Sequence, residues 1–92
     1  MRKHGEWMTQ VDERILEYLS ENGNHQPHAI ADNLREIGVD LDYHSNSINR
    51  RCRELRDYRL IINVGGGVYS TTDLGEQFLA GDLDAGTLEK DE

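Results

Sequence analysis

Cysteine, lysine and long apolar runs are scarce in this 92-residue sequence, and each scarcity excludes a class of protein. The single Cys52 has no second cysteine for an internal disulfide and leaves no ligand set for a structural zinc ion. No segment approaches the roughly 18 consecutive apolar residues that a membrane span needs, and no apolar stretch follows the basic N-terminus. We therefore expect a small, soluble, cytoplasmic domain without a signal peptide or membrane association.

The charged residues are unbalanced in number and in type. There are 18 acids and 10 bases, which gives a formal net charge of -8, and only Lys3 and Lys90 among the bases are lysines. A lysine-poor, acid-coated surface favours a halophilic protein that must stay hydrated in concentrated salt, and ordinary solubility through net charge is the alternative.

The bases are concentrated in one part of the chain. Residues 43–60 contain five arginines against two acids, a local net charge of +3. A basic stripe on an acidic body indicates an oriented surface, which is typical of proteins that bind nucleic acid.

Apolar spacing and capping residues predict four helices. Thr9 and Asp12 have the spacing of a capping box, Pro27 suits a first helical turn, and Ile48, Cys52 and Leu55 form the inward face of the third helix. The predicted helices cover 10–21, 27–37, 43–58 and a segment that starts at Thr72 or Asp73 and ends at Gly81.

Two β-rich segments between the third and fourth helices predict a hairpin. They flank the turn Gly65-Gly66-Gly67. Three helices, a hairpin and a C-terminal helix make a mainly α fold with a small β-hairpin (α+β), the pattern of a winged helix-turn-helix domain. We place this domain at 7–84, after an N-terminal arm at 1–6 and before an acidic tail at 85–92 that we expect to be disordered.

Several short motifs of the chain are shared with a known family. They are Trp7-Met8-Thr9, Arg50-Arg51-Cys52-Arg53-Glu54-Leu55, Gly67-Val68-Tyr69-Ser70, Thr72-Asp73-Leu74-Gly75 and Leu79-Ala80-Gly81-Asp82-Leu83-Asp84. With these motifs the chain resembles the small winged helix-turn-helix transcription regulators of halophilic archaea, including proteins likened to the repressor of the halophage phi-H. The resemblance implies a sequence-specific DNA-binding regulator, dimeric, in a salt-rich cytoplasm.

The outward face of the third helix supplies the candidate contacts to DNA bases. At 100° per residue, asparagine, serine and arginine side chains fall on this face or its flanks. Arginine can bridge the O6 and N7 atoms of guanine, and asparagine the N6 and N7 atoms of adenine. The predicted base contacts are Asn46, Ser47, Asn49 and Arg50. The alternative is a solvated face with intrahelical pairs, such as Arg50 with Glu54 and Arg53 with Asp57.

Residues farther along the helix and at its start are the candidate phosphate contacts. They are Tyr43, His44, Arg51, Arg53, Arg56 and Arg59. Arg51 lies nearer the core, so it either reaches a phosphate or pairs with an acid of the first or second helix. Tyr43 and His44 either touch the DNA backbone or cap the packing. Arg59 stands where many such domains have glycine; a left-handed backbone there costs about 1 kcal/mol for any other residue.

The predicted wing carries no base. Gly65, Gly66 and Gly67 either let backbone N–H groups approach a phosphate or are simply what a tight turn tolerates. His25 and His28 lack a third metal ligand in sequence reach, and no catalytic constellation is identifiable. We therefore expect no metal, no cofactor, no small-molecule ligand and no enzymatic activity.

These patterns and the resemblance favour a transcription regulator that binds double-stranded DNA as a homodimer through residues 43–58, and the resemblance implies that it is a repressor. A dimer is expected because one recognition helix reads only a short half-site. The alternative function is a winged-helix module that binds another protein and has no specific affinity for DNA.

Overall fold

The structure, a computed structural model, describes residues 2–36 and 45–90 and contains every predicted element in the predicted order. The predicted helix residues Ile37, Tyr43 and His44 lie outside the described residues. The elements are α1 (Gln10–Asn22), α2 (Pro27–Glu36), α3 (Ser45–Asp57), β1 (Ile61–Gly65), β2 (Val68–Thr71) and α4 (Asp73–Leu79), followed by a 3-10 helix at Ala85–Thr87. The winged-helix architecture is therefore confirmed.

The capping box fixes the start of α1. The Thr9 hydroxyl accepts a hydrogen bond from the Asp12 N–H, and the Asp12 carboxylate accepts one from the Thr9 N–H at 2.9 Å. These reciprocal bonds satisfy two backbone donors that a helix start leaves without partners. The helix ends at Gly23, whose N–H donates to the Leu19 carbonyl.

One apolar core joins the first three helices to the hairpin and α4. On α3, the predicted inward residues Ile48, Cys52 and Leu55 are all fully buried. The other helices and the hairpin contribute Ile15, Leu16, Leu19, Ile30, Leu34, Leu60, Ile61, Tyr69 and Phe78, none more than 4% exposed. This packing leaves the opposite face of α3 on the surface.

A left-handed residue ends α3 and turns the chain into the wing. The N–H groups of Arg59 and Leu60 donate to the carbonyls of Arg56 and Leu55, which is the Schellman pattern of helix ends. Arg59 has a φ of 66° at the position where glycine is usual, and the Thr72 hydroxyl donates to its carbonyl at 2.6 Å. The left-handed backbone at Arg59 thus accounts for the glycine that is usual at this position.

The wing is anchored to the loop between α1 and α2. Strands β1 and β2 pair antiparallel with a bulge between Asn63 and Gly65. On the other side of β2, Tyr69 and His25 exchange two backbone hydrogen bonds of 2.9 and 3.1 Å. Because this bridge holds the hairpin against the start of α2, the wing has a defined position beside α3.

The two ends of the chain pack together, which corrects one prediction. Lys3 and Asp84 form a parallel β-bridge, the Lys3 carbonyl accepts from the Ala85 N–H, and Ala85 is fully buried. Leu88 packs against the core. The expectation of a disordered tail from residue 85 is therefore wrong for residues 85–88, because backbone bonds to the N-terminal arm compensate for their few apolar side chains.

Trp7 packs against the core. Its ring stacks on Tyr58 with centroids 3.8 Å apart, and its indole N–H donates to the Ala85 carbonyl at 3.2 Å. The N-terminal segment thereby covers the C-terminal end of α3.

Candidate nucleic-acid interface

The outer face of α3 presents the amide and guanidinium groups predicted from the sequence. Asn46, Arg50 and Arg53 are exposed, and Ser47 and Asn49 are half-buried on the flanks. Arg56 is also exposed, one turn beyond Arg53. The helix therefore places hydrogen-bonding side chains on the surface opposite its buried apolar row.

The intrahelical pairs weighed as an alternative do not form in the described part of the chain. Glu54 pairs with Lys90 at 3.0 Å, and Asp57 pairs with its neighbour Arg56 at 3.1 Å. Among residues 2–36 and 45–90, neither Arg50 nor Arg53 has an ion-pair partner. Two fixed positive charges on this face are thus available to another molecule.

Arg51 points to the other side of α3 and binds the body of the protein. Its Nε and Nη2 atoms donate to the two carboxylate oxygens of Asp12 at 2.7 and 2.6 Å, and Nη2 also donates to the Trp7 carbonyl at 3.1 Å. Asp12 is fully buried, and its hydrogen bonds raise the pKa of Arg51 further above its ordinary value. The structure therefore realises the pairing alternative, and Arg51 leaves the set of phosphate contacts.

This ion pair fixes the position of α3 relative to α1. The same carboxylate caps α1 through Thr9 and holds the α3 guanidinium with two-point geometry. A small rotation of α3 would break one of the two bonds. The outer face of α3 is consequently presented at a fixed angle.

Arg59 lies just beyond α3 with an exposed side chain, and Tyr43 and His44 fall outside the described residues. The backbone of Arg59 is held in place by the α3 end and by Thr72. Its predicted phosphate contact remains a prediction.

The wing turn is an open stretch of backbone. Gly65, Gly66 and Gly67 have φ angles of 127°, 60° and 78°, which other residues rarely adopt. Apart from each glycine and its two chain neighbours, no described atom lies within 4 Å of the place where a Cβ would stand on any of the three. The glycines therefore serve the turn, and they also leave its backbone accessible to another molecule.

A groove joins the wing turn, α3 and the first turn of α2. It has a volume of about 290 Å³ and is lined by Gln26, Pro27, His28, Asn46, Asn49, Gly66 and Gly67. The Gln26 amide donates to the Gly66 carbonyl at 3.2 Å and closes one end of the groove. Two predicted base-contact residues thus share a concavity with residues of α2 that the sequence reasoning did not select.

The remaining chemistry of the described residues is limited. Burial raises the pKa of the Cys52 thiol to about 12. Within 2–36 and 45–90, no three His, Cys, Asp or Glu side chains come together as a set of metal ligands. None of the described helices has the length and apolar character needed to cross a membrane.

The chain is similar to known phage repressors and repressor-like proteins in sequence and in fold. The model of the winged helix-turn-helix phage repressor family matches residues 1–91. The chain is 32% identical to the repressor protein of Halobacterium phage phiH over 93 residues, which covers 98% of this chain and 99% of the phage protein. The crystal structure of the PhiH1 repressor-like protein from Haloarcula marismortui is similar with a TM-score of 0.84 and 37% identity, over 98% of this chain and 97% of that one.

Proposed function

Because the chain belongs to the winged helix-turn-helix phage repressor family, we propose that it is a sequence-specific DNA-binding repressor that reads the major groove with α3. Asn46, Ser47, Asn49 and Arg50 contact base edges. Arg53, Arg56 and Arg59 contact phosphates.

The main support for this proposal is the environment of the Arg50 and Arg53 side chains. Both are exposed on one face of α3 and have no ion-pair partner among the described residues, although the chain has 18 acids. A solvated surface on such an acidic protein would be expected to neutralise these charges. Their availability beside Asn46 is what a duplex requires, since arginine reads guanine and asparagine reads adenine.

Salt determines how the affinity is divided between contacts. Each neutralised phosphate adds about -0.9 to the slope of log K against log salt concentration. By that rule, four phosphate contacts lose roughly 4.7 decades of affinity between about 0.15 M and about 3 M salt. A halophilic repressor must therefore draw most of its affinity from base contacts, uncharged hydrogen bonds and dimerisation.

Dimerisation is part of the proposal. One α3 reads only a short half-site, and two-fold related recognition helices match half-sites about one helical turn apart. The surfaces proposed for the contact are α1 with the Trp7 segment, and α4 with Leu83, whose side chain is half-buried on the core.

The test is the selection of bound sequences from a random duplex pool at roughly 2 to 3 M KCl. We expect enrichment of an inverted repeat whose half-sites lie about one helical turn apart. Enrichment of a single half-site without an inverted repeat would contradict the dimer but would still support base reading by α3. No enrichment with folded protein would overturn the DNA-reading function and favour the protein-binding alternative.

Variants then assign the reading face. Arg50→Ala should weaken binding to the enriched duplex by about 1 to 3 kcal/mol and relax selectivity at one base pair. Arg35→Ala is the matched control, because Arg35 is exposed near the end of α2, pairs with Asp32 and lies outside the elements proposed for the dimer contact. An equal effect of the two variants would contradict the assignment of the face.

A further inference from the structure

The groove between α2, α3 and the wing is formed by parts of the chain without carboxylates, lysines or arginines. Residues 22–31, 45–49 and 60–72 contain no Asp, Glu, Lys or Arg, although these four residue types make up 30% of the sequence, and their basic side chains are the imidazoles of His25 and His28. The fold brings these three segments together around one concavity. An acidic protein thus has an acid-free zone next to the two available arginines of α3.

The groove offers hydrogen-bond donors without positive charge. Gln26 uses its amide nitrogen to bind the Gly66 carbonyl, and that nitrogen has a second N–H to offer. The side-chain amides of Asn46 and Asn49 form no hydrogen bond with the residues that the structure describes. The backbone of the wing turn is open beside them. These groups suit a ligand that is rich in acceptor oxygens.

Resting on the proposed function, we infer that this groove binds the sugar–phosphate backbone of the duplex through uncharged donors, with Gln26 as its principal contact. Side-chain amides and backbone N–H groups are ordinary donors to phosphate oxygens. They release few condensed counterions, because they neutralise no phosphate. Such contacts keep their strength in concentrated salt, where the contribution of an arginine to phosphate binding declines.

The absence of acids has a direct physical reason in this arrangement. A carboxylate facing a phosphate costs free energy through like-charge repulsion, and this cost is largest where water is excluded. A lysine would add an attraction that molar salt cancels. Neutral amides avoid both effects, and Gln26 additionally holds the wing against α2.

The experiment compares the salt dependence of binding for matched variants on the duplex enriched in the selection. Gln26→Lys adds a charge in the groove, and Gln77→Lys adds the same charge at an exposed position of α4. Because α4 is one of the surfaces proposed for dimerisation, analytical ultracentrifugation must first show that Gln77→Lys assembles as the wild type does. We expect Gln26→Lys to steepen the slope of log K against log salt by about 0.9, since one more phosphate is neutralised. Gln77→Lys should leave the slope close to that of the wild type.

Removal of the amide supplies the complementary measurement. Gln26→Ala should weaken binding by up to about tenfold at every salt concentration, the value of one hydrogen bond, with no change in slope. Arg53→Ala should instead flatten the slope by about 0.9. Circular dichroism and urea denaturation of each variant verify that the fold is retained.

The outcomes separate this inference from the proposed function. If the wild-type protein binds the duplex and Gln26→Lys has the same slope as Gln77→Lys, the groove does not face the DNA backbone and the inference is wrong. If Gln26→Ala flattens the slope, the contact is not a neutral one, and the inference is wrong in that respect. If no duplex is bound by the folded wild-type protein, the proposed function fails and the inference with it.

Discussion

Arg50 and Arg51 are consecutive residues of α3, yet they have opposite environments. Arg51 binds the buried carboxylate of Asp12 and the Trp7 carbonyl, whereas Arg50 is exposed and has no ion-pair partner among the described residues. One residue step rotates the side chain by about 100° around the helix, which is enough to move it from the body to the surface. Whether an arginine of α3 binds the body of the protein or faces the surface therefore depends on its angular position around the helix.

The same division applies to the two sides of α3 as a whole. The inner side is held by the ion pair between Arg51 and the buried carboxylate of Asp12, and by Ile48, Cys52 and Leu55. The outer side carries exposed donors next to an open groove. A recognition helix needs both, because hydrogen bonds to base edges are selective only when the donors stand at a fixed place and angle.

The reactivity of Cys52 should give the sharpest contrast between the two sides. A thiol with a pKa raised to about 12 holds about a thousandfold less thiolate at pH 8 than one at its ordinary value, and burial excludes the reagent as well. Iodoacetamide should therefore label Cys52 at least about a thousandfold more slowly in native protein than in urea.

The control for this labelling experiment is an exposed thiol, introduced by Arg53→Cys in a Cys52→Ala background. It lies on the outer face and should react at close to the rate of an unfolded chain. Mass spectrometry of the alkylated protein measures both rates. Rapid native labelling of Cys52 would show that the inner face of α3 opens readily and would remove the contrast.

Breaking the inner ion pair should have the next largest effect. Arg51→Met keeps most of the apolar stem but leaves the Asp12 carboxylate buried without a countercharge, which typically costs about 3 to 5 kcal/mol. Arg53→Met should change the free energy of unfolding by less than about 0.5 kcal/mol, as is usual for an exposed site. Urea denaturation at constant KCl concentration measures both.

A double-mutant cycle assigns the loss to the pair itself. Asn at position 12 removes the buried charge, so Asp12→Asn combined with Arg51→Met should recover part of the stability that Arg51→Met loses. Strict additivity of the two single changes would contradict the coupling of α1 and α3 through this pair.

Local patterns predicted the elements, whereas contacts between distant residues were at most left as open alternatives, as for Arg51. The capping box, the apolar row of α3 and the glycine turn are each set within a few residues, so spacing alone identified them. The Arg51–Asp12 pair spans 39 positions, and the Gln26–Gly66 bond spans 40. Those contacts depend on how helices cross and where the wing folds back, and no spacing rule encodes either.

The order of the C-terminal segment was underestimated for the same reason. Leu88 is the only large apolar side chain in residues 85–92, a composition that favours disorder. The order of this segment comes from contacts with the other end of the chain, namely the backbone bond from Ala85 to Lys3 and the bond from the Trp7 indole to the Ala85 carbonyl, and from the packing of Ala85 and Leu88 on the core. The candidate site shows a related limit, because Gln26 carries no charge and gave the sequence reasoning no signal.

The smallest expected effect concerns Arg59, whose backbone helps to hold the fold together and whose side chain is exposed. Its backbone ends α3 with a φ of 66° and binds Thr72, whereas its side chain is exposed. Arg59→Gly should raise the free energy of unfolding by about 1 kcal/mol, because glycine adopts this conformation without a steric penalty. Urea denaturation measures the gain.

Arg59→Ala separates the backbone contribution of Arg59 from its charge. Alanine removes the guanidinium but keeps the left-handed strain, so Arg59→Ala should not share the gain in stability. If Arg59 contacts a phosphate, both variants should flatten the salt slope of DNA binding by about 0.9. If Arg59→Gly is more stable but binds DNA more weakly, the arginine side chain contributes to DNA binding at the cost of backbone strain. If binding is unchanged, Arg59 lies outside the interface, and the DNA contacts are confined to α3 and the groove.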